Sequence, residues 1–429
     1  MKYKSTNHKS PEVSFKNAVV KGLADDKGLF FPVEIPKLPE SFFKKLSRLS
    51  LREIGHEVLK PYVGDDLSDN ELKALLDDAL NFDIPLVEIK PQIFSLELFH
   101  GPTLAFKDVG ARIMARFLSK FVDKNKKVTV LVATSGDTGS AVANGFLNVE
   151  GIDVVVLYPK GMVSNIQEKQ FTTLGSNIAA LEVNGTFDDC QRMVKEAFAD
   201  IDLNNTLQLS SANSINVARF LPQAIYYFYA YAQLKDKSKP VVFSVPSGNY
   251  GNLTAGIIAK RSGLPVHNFI ASANINNVVP EYLRTGVFNP LSSVSTISNA
   301  MDVGNPSNFA RIMELYSHSW GKIKLEIEGY SFTDEETRQI IFDVYQKHEY
   351  ILDPHGAVAY LGLSEYMKKN DVNGIFFETA HPAKFYETVE KQISVKVDIP
   401  ERLEKFLSKE KNTIEIGNSL DNLKQVLLN

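Results

Sequence analysis

The sequence predicts an α/β protein with mostly parallel sheets flanked by helices, long enough for two or three domains. From about residue 94, short apolar β-branched or aromatic runs alternate with helical stretches, the pattern of strands buried on both faces and joined by crossover helices. Two of those runs end in Ser-Gly loops that open helices, Thr134-Ser135-Gly136-Asp137-Thr138-Gly139 and Pro246-Ser247-Gly248-Asn249-Tyr250-Gly251-Asn252. At 429 residues the chain exceeds a single core, given roughly 150 residues per domain. Its 44% hydrophobic and 23% charged residues exclude collagen-like, coiled-coil and disordered readings.

Residues 1 to about 90 carry helical patterning. Phe42-Phe43-Lys44-Lys45-Leu46 and Glu71-Leu72-Lys73-Ala74-Leu75-Leu76 space apolar residues for helices, with Ser41, Ser68 and Asn70 as cap candidates, and Gly28-Leu29-Phe30-Phe31-Pro32 reads as a short extended piece. Strands are expected at Val128 to Ala133, Asp153 to Tyr158, Ile178 to Val183, Val241 to Val245, Phe269 to Ala273 and Gly374 to Thr379, with a helix through Ala141, Val142 and Phe146. Lys235-Asp236-Lys237-Ser238-Lys239-Pro240, polar and closed by proline, marks a soft boundary.

Charge and cysteine content narrow the function. Lys plus Arg is 47 and Asp plus Glu 51, a net charge of -4 with no basic stripe, so a nucleic-acid partner is not expected. Lys124-Asn125-Lys126-Lys127 reads as the solvated end of a helix or loop. The lone Cys190 excludes an intramolecular disulfide and a zinc site of paired thiolates; it reads as a small core residue or inert thiol. His355 and His381 lack a Cys, Glu or second His at ligand spacing, so no metal is expected; His355 reads as structural, and His381 and Lys384 stay open. No apolar run follows Met1-Lys2-Tyr3-Lys4-Ser5 and no window approaches the roughly 18 residues of a membrane helix, so the expectation is a soluble cytoplasmic protein without a membrane partner.

Both Ser-Gly loops place backbone N–H groups and a helix N-terminus at the carboxyl end of a sheet, where anions bind; each also reads as a capped strand-to-helix turn. Neither has the Gly-Lys-Ser/Thr ending of a phosphate-binding P-loop or a three-glycine dinucleotide fingerprint, which weakens a nucleotide reading. In His100-Gly101-Pro102-Thr103-Leu104-Ala105-Phe106-Lys107-Asp108, Lys107 sits behind Leu-Ala-Phe at a helix start. Partial desolvation would make it a usable amine nucleophile, and a surface lysine paired with Asp108 or Asp137 is the alternative. Asn213-Ser214-Ile215-Asn216 with Arg219 suits a further anion site, with Asn216 and Arg219 on one face if the helix runs from Ser214.

On His100 to Asp108, Ser135 to Gly139 and Ser247 to Asn252, the sequence closely resembles the threonine synthase family, pyridoxal-phosphate enzymes of the tryptophan-synthase-β fold type. Gly28 to Pro32, Ser211-Ala212-Asn213-Ser214-Ile215-Asn216 and Thr379-Ala380-His381-Pro382-Ala383-Lys384-Phe385 extend the likeness over nearly the whole chain. The resemblance implies fold type II and pyridoxal 5'-phosphate as cofactor. It also implies a lyase that converts O-phospho-L-homoserine and water to L-threonine and phosphate by γ-elimination and β-hydration, the last step of threonine biosynthesis. Lys107 would be the Schiff-base and catalytic lysine; Gly248, Asn249, Tyr250, Gly251 and Asn252 would cradle the cofactor phosphate; Thr379 would meet the pyridine nitrogen. Thr134, Ser135, Asp137 and Thr138 would hold the substrate α-carboxylate, and Asn213, Ser214 and Arg219 its phosphate. Asp108 follows the lysine and Asp137 holds the fourth loop position, and which group meets the cofactor's phenolic oxygen stays open. The implied organisation is an N-terminal mostly helical segment at 1–95 packed on a large cofactor domain at 96–110 and 236–429, a small substrate-closing domain at 111–235, and a monomer or homodimer. An eliminating relative yielding an oxo acid and ammonia would share Lys107 and the Ser247 loop but has no use for a second phosphate site.

Overall fold

The computed structural model describes residues 1–122 and 127–428. The expected basic tip at Lys124, Asn125 and Lys126 lies outside the described residues, and Lys127 pairs with Asp153.

The chain opens with a three-stranded antiparallel sheet, β1 (Lys2–Ser5), β2 (Val13–Ser14) and β3 (Phe30–Pro32), with β1 in the middle. The helix Phe15–Lys21 joins β2 to β3, and the helices Leu51–Val63 and Asp69–Ala79 come after. Ser50 with Glu53 and Ser68 with Glu71 form capping boxes that satisfy the first N–H groups of the last two helices. Ser41 does not cap: the helix there starts at Glu40 behind Pro39, and Asn70 falls inside its helix. Phe15 meets Phe117 and Phe121 edge-on, joining this segment to the helix Lys107–Phe121.

β4 (Leu86–Lys90) and β5 (Ile93–Glu97) then enter the larger sheet as an antiparallel pair. The first crossover unit is β6 (Val128–Ala133), β7 (Ile152–Pro159), β8 (Ile178–Asn184) and β9 (Gln208–Ser211), all parallel. The chain returns to the larger sheet with β10 (Val241–Pro246), β11 (Asn268–Ala273), β12 (Ile327–Ser331) and β13 (Asn373–Glu378), giving the order β12-β11-β10-β13-β5-β4. β6, β10, β11 and β13 are buried at every residue, so they read as continuous apolar runs without alternation.

The last strand, β14 (Ile414–Gly417), pairs in parallel with β8 and completes the smaller sheet in the order β14-β8-β7-β6-β9. This corrects the expected division in two places. The span 236–429 does not stay with one sheet, because β14 crosses to the sheet of residues 111–235. The segment 1–95 gives up β4 to the larger sheet. Both are edge strands whose pairing is decided by partners far off in sequence, and β14, half exposed, has no local pattern that names its sheet.

Candidate active site

All the chemistry-bearing loops leave the carboxyl ends of parallel strands, where an open α/β sheet binds ligands. β5 leads through residues 98–106 to Lys107, β6 to Thr134–Gly136, β10 to Ser247–Tyr250, and β13 to Thr379. Between them lies a cavity of about 920 Å³.

Lys107 is the first residue of its helix and lines this cavity. Its approach is tied to the strand that carries Thr379: Ala105 bridges Ala380, the Phe106 N–H donates to Thr379 O at 2.8 Å, and the His381 N–H donates to Leu104 O at 3.1 Å. Burial pulls its amine down to about 8, with the Asp137 charge opposing and Arg219 and Lys384 adding to the fall. The alternative pairings of Lys107 are both taken. Asp108 accepts from Thr103 Oγ1 at 2.6 Å and Thr103 N at 2.9 Å, while Asp137 meets Lys384 Nζ at 2.5 Å and Gln167 Nε2 at 2.8 Å. Among the described residues Lys107 Nζ makes no hydrogen bond, only a contact over the Phe106 ring. Neither Asp108 nor Asp137 lines the cavity, so neither stands ready for a cofactor's phenolic oxygen. The Asp137 carboxyl is pushed up by burial, but Lys384, Lys107 and the hydrogen bond from Gln167 hold it well below the usual carboxylate range.

Of the loop expected to take an α-carboxylate, Ser135 and Thr138 line the cavity and Thr134 and Asp137 do not. Thr134 Oγ1 accepts from the Gly136 and Gly139 N–H groups and so shapes the turn from inside. Residues with a hydroxyl or carboxyl in such a turn have two outlets, ligand or own backbone, and the sequence does not distinguish them.

The second loop spends its Ser and Asn side chains on protein partners. Asn252 donates to Pro246 O and accepts from Ser247 Oγ and the Leu253 N–H; Asn249 donates to Ser214 Oγ at 2.7 Å and accepts from the Ser307 N–H. Tyr250 stands left-handed (φ 61°) ahead of the helix Gly251–Arg261, and its side chain does not cap it. The first-turn N–H groups of Gly251 and Asn252, which have no intrahelical partner, are thus available to an anion. Gly248 through Asn252 all line the cavity, as does Thr379.

Arg219, on the short helix Val217–Phe220, is 4% exposed and reaches the same cavity. Its Nη1 donates to Ala212 O at 2.7 Å, its Nε has no partner, and burial lowers it to about 10. Asn213 and Ser214 stand beside it, with Asn213 Nδ2 on Ala133 O at 3.0 Å. Asn216 does not join them. The helix begins at Val217, not Ser214, so Asn216 caps it by accepting from the Ala218 N–H, and its amide is held by Val19 O and Ser211 O.

Other wall residues carried no motif. Phe187, Gln191 and Lys195 on the helix Phe187–Ala199, and Ser292, Ser293 and Asn305 on the long connection 287–308, line the outer part of the cavity. The length of that connection was the one available signal, since long irregular segments in compact domains are usually functional. Lys384, 1% exposed, is the residue the sequence left open: its partner Asp137 lies too far away in sequence for spacing to reveal.

The arrangement fits pyridoxal 5'-phosphate: a free, desolvated amine, a helix N-terminus with unclaimed donors, and Gly248 in a cradle where a Cβ would fall 2.6 Å from Ala300 O. Comparison with known proteins agrees. Residues 84–375 match the family described as pyridoxal-phosphate dependent enzyme, 2–80 match threonine synthase N terminus, and 356–427 match threonine synthase, C-terminal. A threonine synthase of Haemophilus influenzae is 45% identical over 422 residues, 98% of each chain. The crystal structure of threonine synthase from Escherichia coli superposes with a TM-score of 0.94 at 40% identity, covering 100% of this chain and 99% of that one. The pyridoxal-phosphate-bound threonine synthase of Brucella melitensis gives 0.92 at 33%, covering 100% and 98%. With every segment of the fold matched and a lysine-centred cavity at the sheet ends, the chain belongs to the threonine synthase family of pyridoxal-phosphate-dependent enzymes.

Proposed function

We propose that this chain converts O-phospho-L-homoserine and water to L-threonine and phosphate, with Lys107 as its base and Arg219 as the centre of its substrate-phosphate site. The observation that carries the reading is the buried, half-partnered Arg219, which opens on the same cavity as Lys107 and adjoins the Gly248–Asn252 loop through Ser214. One cavity thus offers two neighbouring anion sites, as a phosphorylated substrate beside a phosphorylated cofactor requires.

Pyridoxal 5'-phosphate, when bound, supplies an aldehyde for the substrate amine and a ring that withdraws electrons from Cα. The backbone N–H groups of Gly248–Asn252 would hold its phosphate, and the Thr379 hydroxyl would meet its ring nitrogen without adding charge. Ser135 and Thr138, at the N-terminus of the helix Asp137–Phe146, orient the substrate α-carboxylate by hydroxyl donors and the helix dipole. Arg219, with Asn213 and Ser214, grips the γ-phosphate and holds the Cγ–O bond that breaks as phosphate leaves. Lys107 Nζ, near 8, takes the Cα proton and serves as the proton carrier at Cβ. Water then adds its hydroxyl at Cβ, and of the three protons released, from Cα, Cβ and water, one goes to Cγ, which becomes the methyl group, one returns to Cα and one leaves with the phosphate. We place this work in the cytoplasm, by a monomer or homodimer; among the described residues no helix is long and apolar enough to cross a membrane.

Purified, cofactor-loaded protein incubated with O-phospho-L-homoserine should release threonine and phosphate in equal amounts. Oxobutyrate with ammonia would replace this reading by that of an eliminating relative, and the absence of turnover would remove it.

A further inference from the structure

His355 has no part in the chemistry above, yet it is 2% exposed and lines the same cavity. It opens the helix Pro354–Met367, whose cap is Asp353, completely buried. Asp353 Oδ1 accepts from the His355 backbone N–H at 2.8 Å and meets the ring Nδ1 at 2.6 Å; Oδ2 accepts from the Gly356 N–H at 3.2 Å. On the other side of the ring, the Ala300 backbone N–H donates to Nε2 at 3.2 Å. A backbone N–H can only donate, so Nε2 is the bare nitrogen and the ring proton sits on Nδ1, facing Asp353. Behind Asp353 stands Glu378, also fully buried, in the space left by Gly356, where a Cβ would fall 2.2 Å from its carboxyl. Burial and the Asp353 charge raise Glu378 well above the usual range. Asp353 Oδ1 thus holds the imidazole by Nδ1.

The Ala300 contact leads on to the phosphate loop. Asn299–Met301 is a single 3-10 turn, whose first N–H groups have no partner inside it. His355 satisfies one of them. The next peptide, Ala300–Met301, presses on the Ser247 loop: a Cβ on Gly248 would meet Ala300 O at 2.6 Å and Met301 Cα at 2.9 Å, so the two backbones are already in contact. Two further anchors hold this turn. Met301 packs with Val358 of the His355 helix, and Asp302 accepts from Thr296 Oγ1 at 2.7 Å and Asn274 Nδ2 at 2.9 Å. Within the turn the Met301 N–H donates to Ser298 O at 2.9 Å and the Asp302 N–H to Asn299 O at 3.2 Å, and the His355 ring is the side chain that takes the Ala300 N–H.

We propose that His355 is a positioning residue for the cofactor's phosphate: its Nε2 takes the Ala300 N–H and helps seat the 299–301 turn, whose Ala300 O bears on the backbone of Gly248. The proposal rests on the reading that the Gly248–Asn252 loop receives that phosphate.

Two substitutions separate the nitrogens. In His355→Gln the Oε1 reaches the place of Nε2 and can accept from Ala300, whereas in His355→Asn the side chain ends near Nδ1 and keeps only the Asp353 side. The readout is the rate at which purified, diluted holoenzyme releases pyridoxal 5'-phosphate, followed by the absorbance of retained cofactor, beside its melting temperature. The Asn variant should release cofactor about tenfold faster than wild type, because a buried N–H loses its partner, and the Gln variant should stay within about threefold. Equal release by both variants, fast or slow, overturns the proposal. Should the Asn variant not accumulate as holoenzyme, the Gln variant decides alone: near-wild-type release supports the proposal, and tenfold faster release overturns it. Gly248→Ala checks the underlying reading. Unchanged release there removes the loop as the phosphate site, whereas fast release there with wild-type release in His355→Asn removes only the role of His355.

Discussion

The buried ion pair between Lys384 and Asp137 offers the sharpest test of how the site is held. The perturbation is Lys384→Met, which keeps the apolar stem and deletes the charge. The pair stands at 2.5 Å with side chains 0% and 3% exposed, and Lys384 also donates to Thr103 O at 3.0 Å. At that separation and an effective dielectric near 20 the attraction is about 6–7 kcal/mol before desolvation is counted. Desolvation consumes most of this, so the intact pair is worth little against an apolar pair. Removing one partner is different, because Asp137 is left buried with Gln167 as its remaining side-chain donor. The expected cost is about 3–5 kcal/mol. The assay is urea unfolding followed by circular dichroism, at pH 7.5, for wild type, Lys384→Met, Asp137→Asn and the double variant. The double variant, with no stranded charge, should regain most of the loss, giving a coupling well above the roughly 0.5 kcal/mol of independent sites. The pH dependence has a definite sign. Asp137 titrates lower in the folded chain than the ordinary 3.8, so its contribution is present above about pH 4 and is lost as the pH falls below that, toward its folded value. A Lys384→Met cost below about 1 kcal/mol, the scale of an exposed pair, or a double variant no better than the single, would refute the reasoning.

Further outcomes follow from the same geometry. Arg219→Ala should raise KM for the phosphorylated substrate by about tenfold to a hundredfold, with Arg219→Lys between the two because it keeps charge but not the planar fork; an unchanged KM would remove Arg219 from the phosphate site. Lys107→Ala should lower turnover by at least about a thousandfold, measured as threonine release, with its melting temperature near wild type; residual turnover within tenfold would assign the base elsewhere. Cys190, completely buried with its thiol pushed up to about 12, should not react with a disulfide reagent at pH 8 until urea is added, when one thiol per chain appears; fast reaction of the native protein would contradict its burial.

Sequence alone determined the local events. The strand at Val128–Ala133 appears with the bounds its apolar run predicts, and the runs at 153, 178, 241, 269 and 374 differ by a residue or so at their ends, because central parallel strands must be apolar on both faces and so announce themselves. Glycine with serine after such a strand likewise predicted the turns before the helices at Asp137 and Gly251, and Lys107 at a helix start. Tertiary structure decided what these signals leave open. Short or half-exposed strands such as β9 and β14 are defined by a partner's ladder, and the ladder that captures β14 belongs to residues far back in the chain. The same holds for the direction of polar side chains: Thr134, Asp137 and Asn216 have the right chemistry for a ligand but turn to Gly139, Lys384 and Val19, because a buried donor or acceptor takes the partner that folding brings nearest. Residue type states what a side chain can bind; only the packing of distant segments decides whether its partner is a ligand or the protein itself.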